Sequence, residues 1–143
     1  MKAISYNLPR HHSGIPEIVL TDTESPSVQK GELLVRVKFA GLNYFDFDTM
    51  RGVRNKDIRR ALRKSAVISG IEMAGIAESD GVTIKQGDLV FGYTNIFRSP
   101  YFHAEYVSVP ESNLARVPDN CSLEGAASIL GGALTSISAL ERI

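Results

Sequence analysis

The sequence predicts a mainly β domain, an irregular barrel or sandwich with peripheral helices, that ends in a C-terminal helix. Two observations carry that reading. Up to residue 110 the β-prone runs are short and separated by Gly, Pro and Asp, which argues against repeated βαβ units with their long helical crossovers. From residue 123 the alternation stops, and small and apolar residues continue as a helix would. At 143 residues, 43% hydrophobic and 22% charged, the chain is long enough to bury a core without staples.

The elements follow in order. "KAISY" and "EIVLTD" are β-prone, with Pro9, Gly14 and Pro16 punctuating their connection. Gly31 and Glu32 make a turn before "LLVRVKFAGL", where period two puts Val35, Val37 and Phe39 on one face and Arg36 and Lys38 on the other. "RNKDIRRALRK" at 54–64 spaces Arg60, Arg63 and Lys64 helically around Ile58, Ala61 and Leu62, and reads as a solvated helix face. In "ISGIEMAGIAES" Gly70 and Gly75 bracket a β segment. "IKQGDLVFGY" offers a turn at Gly87 and Asp88 and a buried strand at Leu89, Val90 and Phe91. "YFHAEYVSVP" is a strand stopped by Pro110. Ser122 suits a helix cap and Glu124 the positive first turn of a helix from Leu123, interrupted near Gly131 and Gly132. The boundaries are therefore 1–122 for the β domain and 123–143 for a helical connection, which reads as cut off at "LERI".

Composition removes several functions. Lys plus Arg and Asp plus Glu each total 16, so the formal charge of zero gives no sign of an electrostatic footprint for nucleic acid, and only local clusters could bind polyanions. A single cysteine, Cys121, excludes a disulfide framework and favours a cytoplasmic protein. The start "MKAISYNLPR" lacks a signal-peptide core, and no run is expected to cross a membrane. No G-x-G-x-x-G, P-loop, H-E-x-x-H, C-x-x-C or G-x-S-x-G is present, so nothing in the chain cradles a nucleotide phosphate or marks a common hydrolase. His11 and His12 lie in a polar loop, and a metal there would need ligands beyond them and His103. Strand alternation puts His103 and Glu105 on one face, as an acid/base pair or a polar edge.

"AGLNYFDFDTMRG" at 40–52 is the segment with chemistry in it. A loop leaving a buried strand is where scaffolds place functional groups. The Asn43 carboxamide both donates and accepts without any pKa shift. Asp46 is equally suited to capping the short helical turn that follows. Tyr44 can donate a proton or hydrogen bond, or simply pack its ring.

An ordered series of segments identifies a family. "MKAISY", "GELLVRVKFAGLNYFDFDTMRG", "ISGIEMAGIAE", "GVTIKQGDLVFGY", "HAEYVSVPESNLARVPDNCSLEGAAS" and "GGALTSISAL" together resemble the N-terminal GroES-like catalytic domain of the medium-chain dehydrogenase/reductase superfamily. Within it the chain looks like the zinc-independent quinone oxidoreductase and enoyl reductase branch. The zinc-dependent members carry Cys where this chain has Asn43 and a G-H-E triplet where it has Gly70, Ile71 and Glu72.

The resemblance implies a GroES-like distorted β-barrel whose C-terminal helix leads to a Rossmann domain absent from these residues. It implies reduction of a quinone or another conjugated carbonyl by NADP (NADPH), a cofactor bound mainly by that absent domain, and no metal. Asn43, Tyr44 and Asp46 are its catalytic-loop residues, and Asn43 and Thr135 its cofactor contacts. The expected partner is a small-molecule substrate, with no nucleic acid and no membrane, and the full-length protein admits a homodimer. The segment before Gly70 and the residues before His103 depart from the family pattern on the substrate side. Alone, the 143 residues are expected to be inactive. The alternative from another class is a free-standing GroES-like binding or assembly module, and a metal-binding protein using His11, His12 and His103 is the third reading.

Overall fold

The computed structural model describes residues 1–7, 14, 16–53, 66–94 and 101–142. Their strands form two antiparallel sheets. In one, β1 (Lys2–Asn7) lies between β2 (Ile18–Asp22) and β4 (Ala66–Ile68). The other has β3 (Glu32–Ala40), β5 (Glu72–Ala77), β6 (Leu89–Tyr93), β7 (Tyr106–Pro110) and β8 (Leu114–Arg116) in the order β7-β3-β5-β6-β8. Helix α1 is Tyr44–Met50 and α2 is Leu123–Leu140, with a 3-10 turn at Glu111–Asn113. A bridge between Ala3 and Ala104, with Ile4 N–H donating to His103 O at 2.8 Å, ties the sheets together. The result is the curled half-barrel expected of a GroES-like domain.

One apolar core lies inside the curl. Leu33 and Val35 of β3, Met73 and Ala77 of β5, Val90 of β6 and Val107 and Val109 of β7 are buried around Phe102. Burying a large apolar side chain stabilises by about 1.5–3 kcal/mol, so these positions carry most of the fold. Pro110 ends an edge strand, where its missing N–H costs no ladder bond. Ser122 caps α2, its Oγ accepting Gly125 N–H at 3.1 Å, and Ala126 and Ala127 pack on Ala74 of β5.

Several expectations need correction. The alternation of β3 fails after Val37, because a register shift between Val37 and Phe39 leaves Phe39 39% exposed instead of aligned with Val35. Gly75 lies inside β5 and not at its edge. Of Leu89, Val90 and Phe91 in β6 only Val90 is buried, Leu89 being 46% exposed. Strand β7 starts at Tyr106, not Tyr101, and α2 runs unbroken through Gly131 and Gly132. By length and composition alone α2, with 18 residues and mean hydropathy 1.3, could cross a bilayer, contrary to the expectation from sequence. The basic patch at 54–64, His11 and His12 lie outside the described residues.

Candidate active site

The site begins where β3 runs out. Asn43 is extended and caps α1, its Oδ1 accepting Phe45 N–H at 2.9 Å. Asp46 reaches back, Oδ2 accepting Asn43 N–H at 3.0 Å, which completes a reciprocal cap. The cap residue is thus Asn43, one turn earlier than the capping role considered for Asp46. The other oxygen of Asp46 accepts Gly70 N–H at 3.1 Å, so this carboxylate, only 2% exposed, commits both oxygens to backbone donors. Tyr44, by contrast, is 73% exposed.

Glu72 sits at the start of the central strand β5 and is 3% exposed. Its Oε1 accepts from Asn43 Nδ2 at 3.2 Å, and its Oε2 accepts Gly131 N–H of α2 at 2.7 Å. Thr135, one turn along α2, donates from Oγ1 to Gly131 O at 2.7 Å. Three hydrogen bonds in series therefore connect Asn43 to Thr135, the two residues expected to meet at a cofactor. Because Phe45 must donate and Glu72 must accept, the orientation of the Asn43 carboxamide is determined by its neighbours. The second hydrogen on Nδ2 has no partner among the described residues.

Two close approaches set this convergence. A Cβ on Gly41 would stand 2.5 Å from Glu72 Cγ and 2.7 Å from Ala127 O, so only glycine lets the loop, the strand and α2 meet. Gly70 has φ of 96°, and a Cβ there would lie 2.6 Å from the His103 ring. His103 fastens the same corner. Its Nε2 donates to Gly41 O at 3.1 Å, and its Nδ1 lies in hydrogen-bond contact with Ser69 Oγ at 2.6 Å. Glu105 turns elsewhere, Oε2 accepting Lys2 N–H at 2.7 Å, so the His103–Glu105 pairing suggested by alternation does not form.

Tyr93, paired across the ladder with Glu72, lines an open groove of about 410 Å³ with Leu134, Thr135, Ser138, Ala139 and Arg142. Burial first, then the charges of Glu72 and Asp46, push its phenol above the ordinary value and keep it a donor. Burial likewise pushes Tyr101 up to about 12. Glu72, Tyr93 and His103 entered the sequence reading as a triplet member, a strand end and half of a pair. A glutamate within the apolar run "IEMAGIA" was the signal available, since a carboxylate is almost never buried without a task. Among the described residues no group of three or more His, Cys, Asp or Glu could hold a metal.

A curled antiparallel barrel with a capped loop and a returning helix defines the GroES-like class of oxidoreductase domain. Residues 29–119 match the family described as "Alcohol dehydrogenase GroES-like domain", and the chain belongs to it, as the N-terminal domain type of the medium-chain dehydrogenase/reductase superfamily. It is 30% identical over 134 residues to "Synaptic vesicle membrane protein VAT-1 homolog-like" of Mus musculus, a match spanning 91% of this chain and 30% of that protein. The fold superposes on the quinone oxidoreductase of Coxiella burnetii with TM-score 0.83 and 27% identity, covering 99% of this chain and 44% of that one. A quinone oxidoreductase from Thermus thermophilus, solved also in complex with NADPH, gives TM-score 0.74 at 27% identity over 99% of this chain and 41% of that one. The chain thus spans 30% to 44% of the length of these relatives.

Proposed function

We propose that this chain is the substrate-side domain of a zinc-independent, NADPH-dependent oxidoreductase that reduces a quinone or another conjugated carbonyl. The observation that carries the reading is the Asn43 carboxamide, held at Oδ1 by Phe45 and at Nδ2 by Glu72, with one hydrogen to spare among the described residues. Zinc does not fit here: Asn43 directs Nδ2–H at Glu72, Ile71 is a buried aliphatic, and both Glu72 oxygens accept protein donors. NADPH, when bound, supplies the hydride, and a nucleotide-binding region outside these residues holds most of it. Asn43 and Thr135 would contact its nicotinamide end. Thr135 Oγ1, whose hydrogen goes to Gly131 O, keeps lone pairs to accept a carboxamide N–H.

On this reading the spare Asn43 N–H donates to the oxygen on which negative charge develops, and Glu72 prevents the amide from turning away. Asp46 braces the loop from below. Tyr44 stands at the open side, where a substrate rather than the core would meet it. The location is cytoplasmic, with α2 held to the β domain by Glu72.

The test is NADPH oxidation by the full-length protein against quinones and enals. Asn43→Ala is expected to lower kcat/KM by about 100-fold, as loss of one oxyanion donor does, and Thr135→Ala to raise the apparent KM for NADPH. Unchanged kinetics in both would end the assignment. The second reading, a free-standing binding module, draws on the lack of a nucleotide motif in the sequence. A reading frame that continues past Ile143 into a strand and a glycine-rich loop decides for the enzyme, and a stop codon there for the module.

A further inference from the structure

Three separate segments converge on Glu72: the loop carrying Asn43, strand β5 itself, and α2 at Gly131. A buried carboxylate ordinarily answers a cation or several donors. The contacts of Glu72 are two N–H donors and no cation among the described residues, one donor belonging to the loop and the other to the helix that carries Thr135. We infer that Glu72 is the positioning residue of the site, a two-oxygen clasp that orients the Asn43 carboxamide and sets the register of α2 against the loop. The inference rests on the proposed reduction for its catalytic half, while the clasp stands on geometry alone.

The chemistry of the clasp makes a specific demand. Two N–H groups point at one side chain, and only a group with two acceptor oxygens satisfies both. Glu72→Gln leaves a single acceptor, so the new amide nitrogen faces either Asn43 Nδ2 or Gly131 N–H, donor against donor. Asn43→Asp fails from the other side, because a carboxylate then faces the Glu72 carboxylate where the Nδ2 bond of 3.2 Å now lies. Combining the two substitutions reverses the polarity of the bond. The amide nitrogen introduced at position 72 would donate to the carboxylate introduced at position 43, while the amide oxygen keeps Gly131 N–H. That carboxylate still accepts Phe45 N–H as the cap of α1, and the carboxylate count is unchanged.

The experiment is a double-mutant cycle in the 143-residue chain, followed by thermal melting and by amide exchange at Gly131. Glu72→Gln and Asn43→Asp should each lower the melting temperature, and E72Q should speed Gly131 exchange by about tenfold as the bond weakens. The double variant should melt above both single variants and recover Gly131 protection. If a single variant does not fold, the double must. A double variant whose loss equals the sum of the singles, or that does not fold, overturns the clasp.

The catalytic half is read in the full-length protein below the melting temperature of each variant. E72Q should lower kcat for a quinone or enal by about 10- to 100-fold, as a misdirected catalytic group does, with a smaller rise in KM for NADPH than Thr135→Ala gives. Wild-type kcat in E72Q would overturn the positioning role and leave only a structural one. The double variant should stay slow even with its fold restored, because the side chain at position 43 no longer has an N–H to offer. Full turnover there would leave the clasp standing and sink the Asn43 donor. No turnover in the wild-type protein with any acceptor would remove the catalytic half together with the proposed reaction, and the stability cycle would still decide the clasp.

Discussion

The two ends of the barrel use the same device in different surroundings. At the rim, Glu111 accepts the N–H groups of Val82, Thr83 and Ile84 at 2.8, 2.7 and 3.0 Å, together with the Thr83 hydroxyl at 2.9 Å. At the site end, Asp46 and Glu72 each bind two donors from separate segments, but at 2% and 3% exposure. The rim clasp orders a single loop and seats Ile84 in the core. The interior pair joins loop, sheet and helix. Water can replace a carboxylate at the rim, whereas an interior N–H that loses its acceptor bears its full desolvation cost. Similar hydrogen-bond counts therefore correspond to different consequences.

The largest effect is expected on removing the interior group not assigned to chemistry. Asp46→Ala leaves Asn43 N–H and Gly70 N–H without their acceptor in a buried corner, a loss of about 2–4 kcal/mol. Urea unfolding measures it. Asp46→Asn retains one acceptor and should fall between Ala and wild type. A loss in D46A no greater than that of a surface substitution would erase the distinction between the two ends.

Glu111→Gln probes the rim and should act more weakly and more locally. The backbone donors hold the Glu111 carboxyl at about 2, below its ordinary 4.5. Its folded pKa is depressed, so its contribution is fully present above about 4.5 and is lost as the pH falls through about 2. Wild type should thus lose stability relative to E111Q across that acidic window and keep a constant advantage from about pH 5 upward. Exchange at Val82, Thr83 and Ile84 should quicken in the variant while Gly131 stays protected. A global loss matching D46A would place the rim clasp in the same class as the interior pair.

The rim-to-core frame was largely legible in the sequence. Leu33 and Val35 alternate with their neighbours because one face of β3 meets the core there, and that asymmetry is written locally. The shift at Lys38 was not legible, since a bulge depends on what β5 presents opposite. The local half of the site could be read too: "NYFD" has the spacing of a reciprocal cap, with an acidic side chain three residues after the cap. Its long-range half could not. Glu72 meets Asn43 across 29 positions and Gly131 across 59, and no local pattern encodes such pairings. The resemblance pointed to Asn43 and Thr135, and the carboxylate linking them emerged only from the folded chain.

Tyr44 belongs to neither clasp and gives the smallest effect on stability. At 73% exposure its hydroxyl faces solvent, so Tyr44→Phe should change unfolding free energy by no more than about 0.5 kcal/mol. That neutrality makes it a clean probe of chemistry. Any fall in kcat of the full-length protein would report a hydrogen bond to substrate rather than damage to the loop, because Asn43 and Asp46 hold the loop without it. An unchanged kcat with a quinone and with an enal would remove Tyr44 from the catalytic set and leave Asn43 as the donor of the loop. A melting temperature lowered as far as in D46A would show instead that the loop depends on its solvent face as much as on its buried one.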